Sequence, residues 1–127
     1  MRGQTTPGGR AGFGASLAAA GRGVASTFRD EANFRFQTLV ALAAVALSVW
    51  LGTATALVIV CCALVLGSEL VNTALERLAD ALHPQHHPLV GAAKEAAAGA
   101  VLVSAAAAVM VGIVSLGPAL LERLGGR

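Results

Sequence analysis

Charged side chains divide this chain into apolar blocks of unequal length. None occurs between Phe36 and Ser68, and none between Ala96 and Leu121. The first block is too long for one crossing of a ~30 Å hydrocarbon core and suits two short spans joined by a tight turn. Gly52-Thr53-Ala54-Thr55 is the natural break, with Trp50 beside it as an interfacial anchor. The second block supplies a third span, closed by Gly117-Pro118. Between the blocks, His83-Pro84-Gln85-His86-His87-Pro88 interrupts helix with two prolines.

Ahead of the first span, Phe13, Leu17, Ala20, Val24 and Phe28 recur at helical period, and Arg22, Ser26 and Arg29 face the other way. Such a helix suits the membrane interface, with its apolar face down and its arginines toward anionic headgroups. The pattern predicts an all-α membrane protein with one domain over residues 13–121. Its parts are an N-terminal amphipathic surface helix over 13–31 and spans over about 34–51, 54–76 and 96–117. Residues 1–12, rich in Gly, Arg, Thr and Pro, and residues 122–127 are expected to be loose tails. In the last span Ala100, Ser104, Ala108 and Gly112 form a ridge of small residues that permits close helix packing.

Composition narrows the function classes. At 56% hydrophobic and 13% charged residues, the 127-residue chain is too apolar for an ordinary soluble domain. A formal net charge of +2 without a basic run argues against a nucleic-acid partner. Cys61 and Cys62 are neighbours inside an apolar run and read as small hydrophobes, not as a redox or zinc pair. No cleaved signal peptide is expected. Arg2, Arg10, Arg22, Arg29 and Arg35 precede the first span, and Arg77 and Lys94 flank the His-rich loop. The positive-inside rule therefore puts the N-terminus and that loop in the cytoplasm, and the C-terminus outside, where Arg123 and Arg127 run against the rule.

Against this apolar background, Glu69, Asn72 and Glu76 stand at i, i+3 and i+7 on one helical face. A carboxylate deep in the bilayer costs about 2.5–3.5 kcal/mol on insertion scales. Counting ~1.5 Å per residue from Ala54 puts Glu69 ~22 Å and Glu76 ~33 Å along the helix, so both lie at the cytoplasmic boundary. Glu31 falls on the apolar stripe if the first helix continues through it. It then either pairs with Arg35 at i+4 or points at a polar site between helices.

Glu31, Glu69, Glu76 and Glu95 offer oxygen ligands and a base, Asn72 an amide, and Arg35 and Lys94 positive charge. Such oxygen-rich sets suit Mg²⁺, which binds through one or two carboxylates and substrate phosphates. Charge and positioning are what phosphoryl transfer requires. A carboxylate just inside the hydrocarbon can take a proton from a lipid hydroxyl that never leaves the bilayer. No P-loop signature is present. From residue types alone, a lipid phosphotransferase and a non-enzymatic carrier or assembly subunit using its glutamates for ion or proton passage both stand. His83, His86 and His87 lie in a proline-bounded loop that makes a poor zinc site.

Glu69 to Asp80 resembles the signature E-x-x-N-[ST]-A-x-E-x-x-x-D of the prokaryotic diacylglycerol kinase and undecaprenol kinase family. Asp30-Glu31-Ala32-Asn33-Phe34-Arg35 is similar to that family's N-E-x-N-F-R element. His87-Pro88-Leu89, Ala93-Lys94-Glu95 and Ala98 to Leu102 resemble its H-x-L, A-K-D and A-G-A-V-L run. The likeness extends from about Phe13 to Leu116. It implies a small homotrimeric integral kinase of the bacterial cytoplasmic membrane, with ATP, Mg²⁺ and a lipid acceptor, either diacylglycerol or undecaprenol, meeting at sites between subunits.

By the same resemblance, Glu69 accepts the proton of the lipid hydroxyl, and Glu31 and Glu76 hold Mg²⁺ on the ATP phosphates. Asn72 orients Glu69 or the metal shell. Lys94 and Glu95 contact the nucleotide, and Gln85, His86 and His87 line its base or ribose. Asn33, Phe34, Arg35 and Ala98 join Glu69 around the lipid. The chain departs from the family pattern at Glu95, where Asp is usual, near Gly12, where a basic residue is common, and at Gln37, where a titratable Glu or His is found in relatives.

Overall fold

A computed structural model describes residues 12–85 and 87–126. Residues 1–11 of the tail expected over 1–12, Arg127 of the tail expected over 122–127, and the nucleotide-lining role expected for His86 lie outside the described residues. The described residues form four helices: α1 (Phe13–Asp30), α2 (Ala32–Leu51), α3 (Thr55–Leu82) and α4 (Pro88–Leu124). The last three are long and apolar enough to cross a membrane.

A single residue separates α1 from α2. Glu31 is extended, at φ −107° and ψ 114°, and its N–H bonds to the Thr27 carbonyl at 2.8 Å. Helix therefore does not continue through Glu31, and the expected i+4 pair with Arg35 does not form. The bend carries Arg35 back over the end of α1, where Nη1 donates to the carbonyls of Phe28 at 3.2 Å and Arg29 at 2.7 Å. These are carbonyls that a helix end leaves without partners. Phe34, 4% exposed, meets the edge of Phe28 with ring centroids 6.4 Å apart and locks the bend.

The α2–α3 turn is closed by a Schellman motif. Gly52 sits at φ +70°, its N–H bonds to Val49 O at 3.1 Å, and Thr53 N–H reaches Ser48 O at 3.1 Å. Without a Cβ, Gly52 adopts this left-handed conformation at little cost.

Two helices extend past the membrane-crossing segments on the side of the His-rich loop. α3 continues beyond Glu76 to Leu82, and α4 begins at Pro88, with the His87 Nδ1 accepting from the Leu89 N–H at 3.3 Å. Nor does Gly117-Pro118 end helix: α4 runs through Pro118 to Leu124. Proline removes one backbone donor, but Ala119 and Leu120 stay half-buried beyond it. In the next turn the Arg123 guanidinium lies 4.8 Å over the Trp50 ring, an attraction that ties this end of α4 to the end of α2.

α3 is the central helix, packed most extensively on α4 and then on α2, with α1 reaching both α2 and α3. Buried residues include Phe34, Val58 and Leu116, and also Thr27, Ser48, Glu69, Asn72 and Thr73. This inversion suits a bilayer, where apolar side chains face lipid and polar ones turn inward. Hydroxyls are satisfied locally: Thr38 donates to Phe34 O, Ser48 to Val45 O, Ser68 to Val65 O and Ser104 to Ala100 O.

Candidate active site

The face of α3 that bears Glu69, Asn72 and Glu76 is turned into the protein. Glu69 is 6% exposed and Asn72 8%. A carboxylate so enclosed, in a helix of this hydropathy, needs a donor. That donor comes from α2: Gln37 Nε2 lies 3.3 Å from Glu69 Oε2. Among the described residues it is the one side chain that bonds to Glu69. The other end of the same amide, Gln37 Oε1, is buried with no hydrogen-bond partner among the described residues.

One turn further along α3, Asn72 Nδ2 donates to Glu76 Oε1 at 3.3 Å. The reversed amide would set oxygen against carboxylate, so the nitrogen belongs on that side. Asn72 Oδ1 is then buried and, among the described residues, unpartnered, a hard oxygen beside a half-buried carboxylate. Asn72 is thus tied to Glu76, and Glu69 is held by a residue of another helix.

Around these groups runs a belt of ion pairs. Arg77 reaches Ser26 Oγ at 3.3 Å, Asp30 Oδ2 at 3.3 Å and Glu31 Oε1 at 3.6 Å. Lys94 on α4 donates to Asp80 on α3 at 2.8 Å. Glu31 and Lys94 are therefore both close to α3, each engaged with an opposite charge.

The remaining expected site residues are arranged less tightly. Gln85, His87, Asn33, Arg35, Glu95 and Ala98 are exposed, and Phe34 is enclosed in the α1–α2 bend. His83 and His87 rings are 6.0 Å apart, beside a second cavity of about 310 Å³ that Leu82, Val90 and Lys94 also line. Among the described residues no three His, Cys, Asp or Glu side chains converge as a metal cage.

An apolar cavity of about 350 Å³ lies between α2, α3 and α4, lined by Gln37, Ala41, Val58, Cys62, Leu66 and Gly112 among others. Sequence reasoning left Gln37, Arg77 and Asp80 without site roles. The available signal for Gln37 was that it is the single amide side chain in the apolar run of α2. For Arg77 it was the position directly after Glu76.

Comparison with known proteins gives a consistent result. The sequence model of the family described as prokaryotic diacylglycerol kinase matches residues 18–116. An undecaprenol kinase of Bacillus subtilis is 38% identical over 112 residues, covering 85% of this chain and 90% of its own length. A diacylglycerol kinase of Synechocystis sp. is 40% identical over 104 residues, 79% of this chain and 59% of that protein. A diacylglycerol kinase of Escherichia coli is 32% identical over 105 residues, 78% of this chain and 86% of its own length.

Proposed function

The chain belongs to the prokaryotic diacylglycerol kinase family and is a membrane lipid kinase, and we propose that it moves the terminal phosphoryl group of ATP to a lipid primary hydroxyl with Glu69 as the base. One observation carries the assignment of Glu69. It is an enclosed carboxylate on a helix long enough to span the bilayer, held by an amide and, among the described residues, by no cation. Such a group has no use as a surface charge. It is suited to receive a proton from an alcohol that approaches within the membrane.

Divalent metal fits the donor chemistry on this face. Glu76 and the unpartnered Asn72 Oδ1 are hard oxygens, and Mg²⁺ needs only one or two protein carboxylates when phosphates complete its shell. Glu31 and Glu76 would hold it. When bound, the metal neutralises charge developing on the transferred phosphoryl group. Lys94 is the cation on α4 that would meet nucleotide phosphate, exchanging Asp80 for it. Glu95, Gln85, His86 and His87 would approach the rest of the nucleotide. Asn33, Arg35 and Ala98, all exposed, would face the lipid.

In this reading α1 lies in the interface. Its Phe13, Leu17, Val24 and Phe28 are exposed along one stripe, while only its C-terminal end is bonded to α3. The arginine distribution sets the active face toward the cytoplasm of a bacterium. Three copies assemble, as the family resemblance implies, and a neighbouring copy supplies the surfaces that one protomer leaves exposed.

The test is phosphate transfer from radiolabelled ATP to diacylglycerol and to undecaprenol, separately, in mixed micelles. The undecaprenol kinase matched over nine-tenths of its length favours undecaprenol as the faster acceptor. Transfer to neither lipid overturns the reading.

A further inference from the structure

The structure assigns Gln37 a role beyond packing: we infer that it is a positioning residue, which aims the Glu69 carboxylate at the acceptor hydroxyl. The inference rests on Glu69 being the base. Three observations bear on it.

First, Gln37 Nε2 is the side-chain donor to Glu69, at 3.3 Å from Oε2. Glutamate has three rotatable side-chain bonds, and one bonded oxygen is enough to restrict where the second points. Oε2 is engaged by the amide, so Oε1 is the oxygen left for the substrate.

Second, Gln37 occupies its place at a cost. Its own Oε1 is buried with no hydrogen-bond partner among the described residues. An unsatisfied buried acceptor destabilises; a shape-matched apolar residue here would remove that penalty but leave the enclosed Glu69 carboxylate without its donor. What the amide provides and Leu or Met does not is the N–H toward Glu69.

Third, Gln37 also lines the apolar cavity between α2, α3 and α4. It therefore stands where the hydrocarbon space and the carboxylate meet. Because the amide is uncharged, it orients Glu69 without adding a second titrating group, and the bond formed in the reaction stays as proposed: the lipid oxygen gains the phosphoryl group, ADP leaves, and Glu69 Oε1 receives the hydroxyl proton.

The experiment compares Gln37→Met, Gln37→His and Glu69→Gln as purified full-length protein in mixed micelles, measuring kcat, KM for ATP and the thermal midpoint. Methionine keeps the length and removes the donor; histidine keeps a ring N–H. Misplacing a reacting group by about 1 Å costs on the order of a hundredfold, so kcat of Gln37→Met should fall about tenfold to a hundredfold. Its KM for ATP should stay within about twofold; its thermal midpoint sets the orphaned oxygen removed against the enclosed Glu69 carboxylate left without its donor, so the role is read from kcat against KM and from the rescue by histidine. Gln37→His should recover kcat to within about threefold of the parent, because a donor is present again.

Wild-type kcat in Gln37→Met overturns the inference. So does a loss that Gln37→His shares in full, which would mark a packing role. Glu69→Gln separates the two levels. If it is inactive while Gln37→Met is normal, the base assignment stands and the positioning role falls. If Glu69→Gln is active, the base assignment itself is wrong.

Discussion

Arg77 on α3 and Asp30, the last residue of α1, meet at 3.3 Å between Nη2 and Oδ2 across 47 positions of sequence. The same guanidinium lies 3.6 Å from Glu31, in the one-residue break between α1 and α2. Arg77 therefore pins the end of the first helix against the helix that carries Glu69, Asn72 and Glu76. Its side chain is 44% exposed, so these pairs are solvent-screened and contribute about 1 kcal/mol or less to stability. Arg77→Ala should move the thermal midpoint by only a few degrees. Its larger effect should fall on KM for ATP, which should rise about threefold to tenfold as Glu31 loses its fixed position. Steady-state kinetics at varied ATP checks this; an unchanged KM means that the clamp does not serve the nucleotide.

Glu69→Gln removes the proposed proton acceptor and keeps the shape. Loss of a general base typically lowers the rate about 10²- to 10⁴-fold. Phosphate transfer should drop by that order, while equilibrium nucleotide binding and the assembly's size in detergent stay at parent values. Full activity in this variant rules out Glu69 as the base.

Metal dependence should be complete and should map to α3. Removing divalent metal with a chelator is expected to stop transfer, and added Mg²⁺ to restore it. Glu76→Ala leaves Asn72 Nδ2 without its acceptor and takes away a carboxylate, so half-saturating Mg²⁺ should rise by about tenfold or more. A Mg²⁺ titration of activity in parent and variant measures the shift.

An aromatic contact packs the α1–α2 bend beside the polar ties of Arg35 and Arg77. Phe34 is enclosed at 4% exposure against Phe28. Phe34→Ala opens a cavity there, and comparable truncations in packed cores cost about 3–5 kcal/mol. The thermal midpoint of the purified protein should fall well below that of Arg77→Ala. An equal or smaller fall would show that the bend is held mainly by Arg35 on the carbonyls of Phe28 and Arg29.

Much of the helical plan was legible in the apolar blocks, and the places where it was not share a cause. Local chemistry at Gly117-Pro118 suggested a stop, but the half-buried Ala119 and Leu120 and the seat of Arg123 over Trp50 carry α4 onward. Helical period placed Glu31 on an apolar stripe facing Arg35. A single extended residue moved both, sending Arg35 to the end of α1 and Glu31 to Arg77. In each case a contact from another element overruled a correct local preference.

The amino-acid sequence by itself determined the three apolar helices and the shared face of Glu69, Asn72 and Glu76. A bilayer demands about 20 uncharged residues per crossing and internally paired backbone, so length and charge pattern suffice. Helical spacing then follows from 3.6 residues per turn, which is equally local. Only the tertiary structure decided who meets whom: Gln37 with Glu69 across 32 positions, Arg77 with Asp30 and Glu31, Lys94 with Asp80. Those partnerships depend on how each helix is rotated and how far it slides along its neighbour. Side-chain packing between helices sets both, and no period within one helix encodes them.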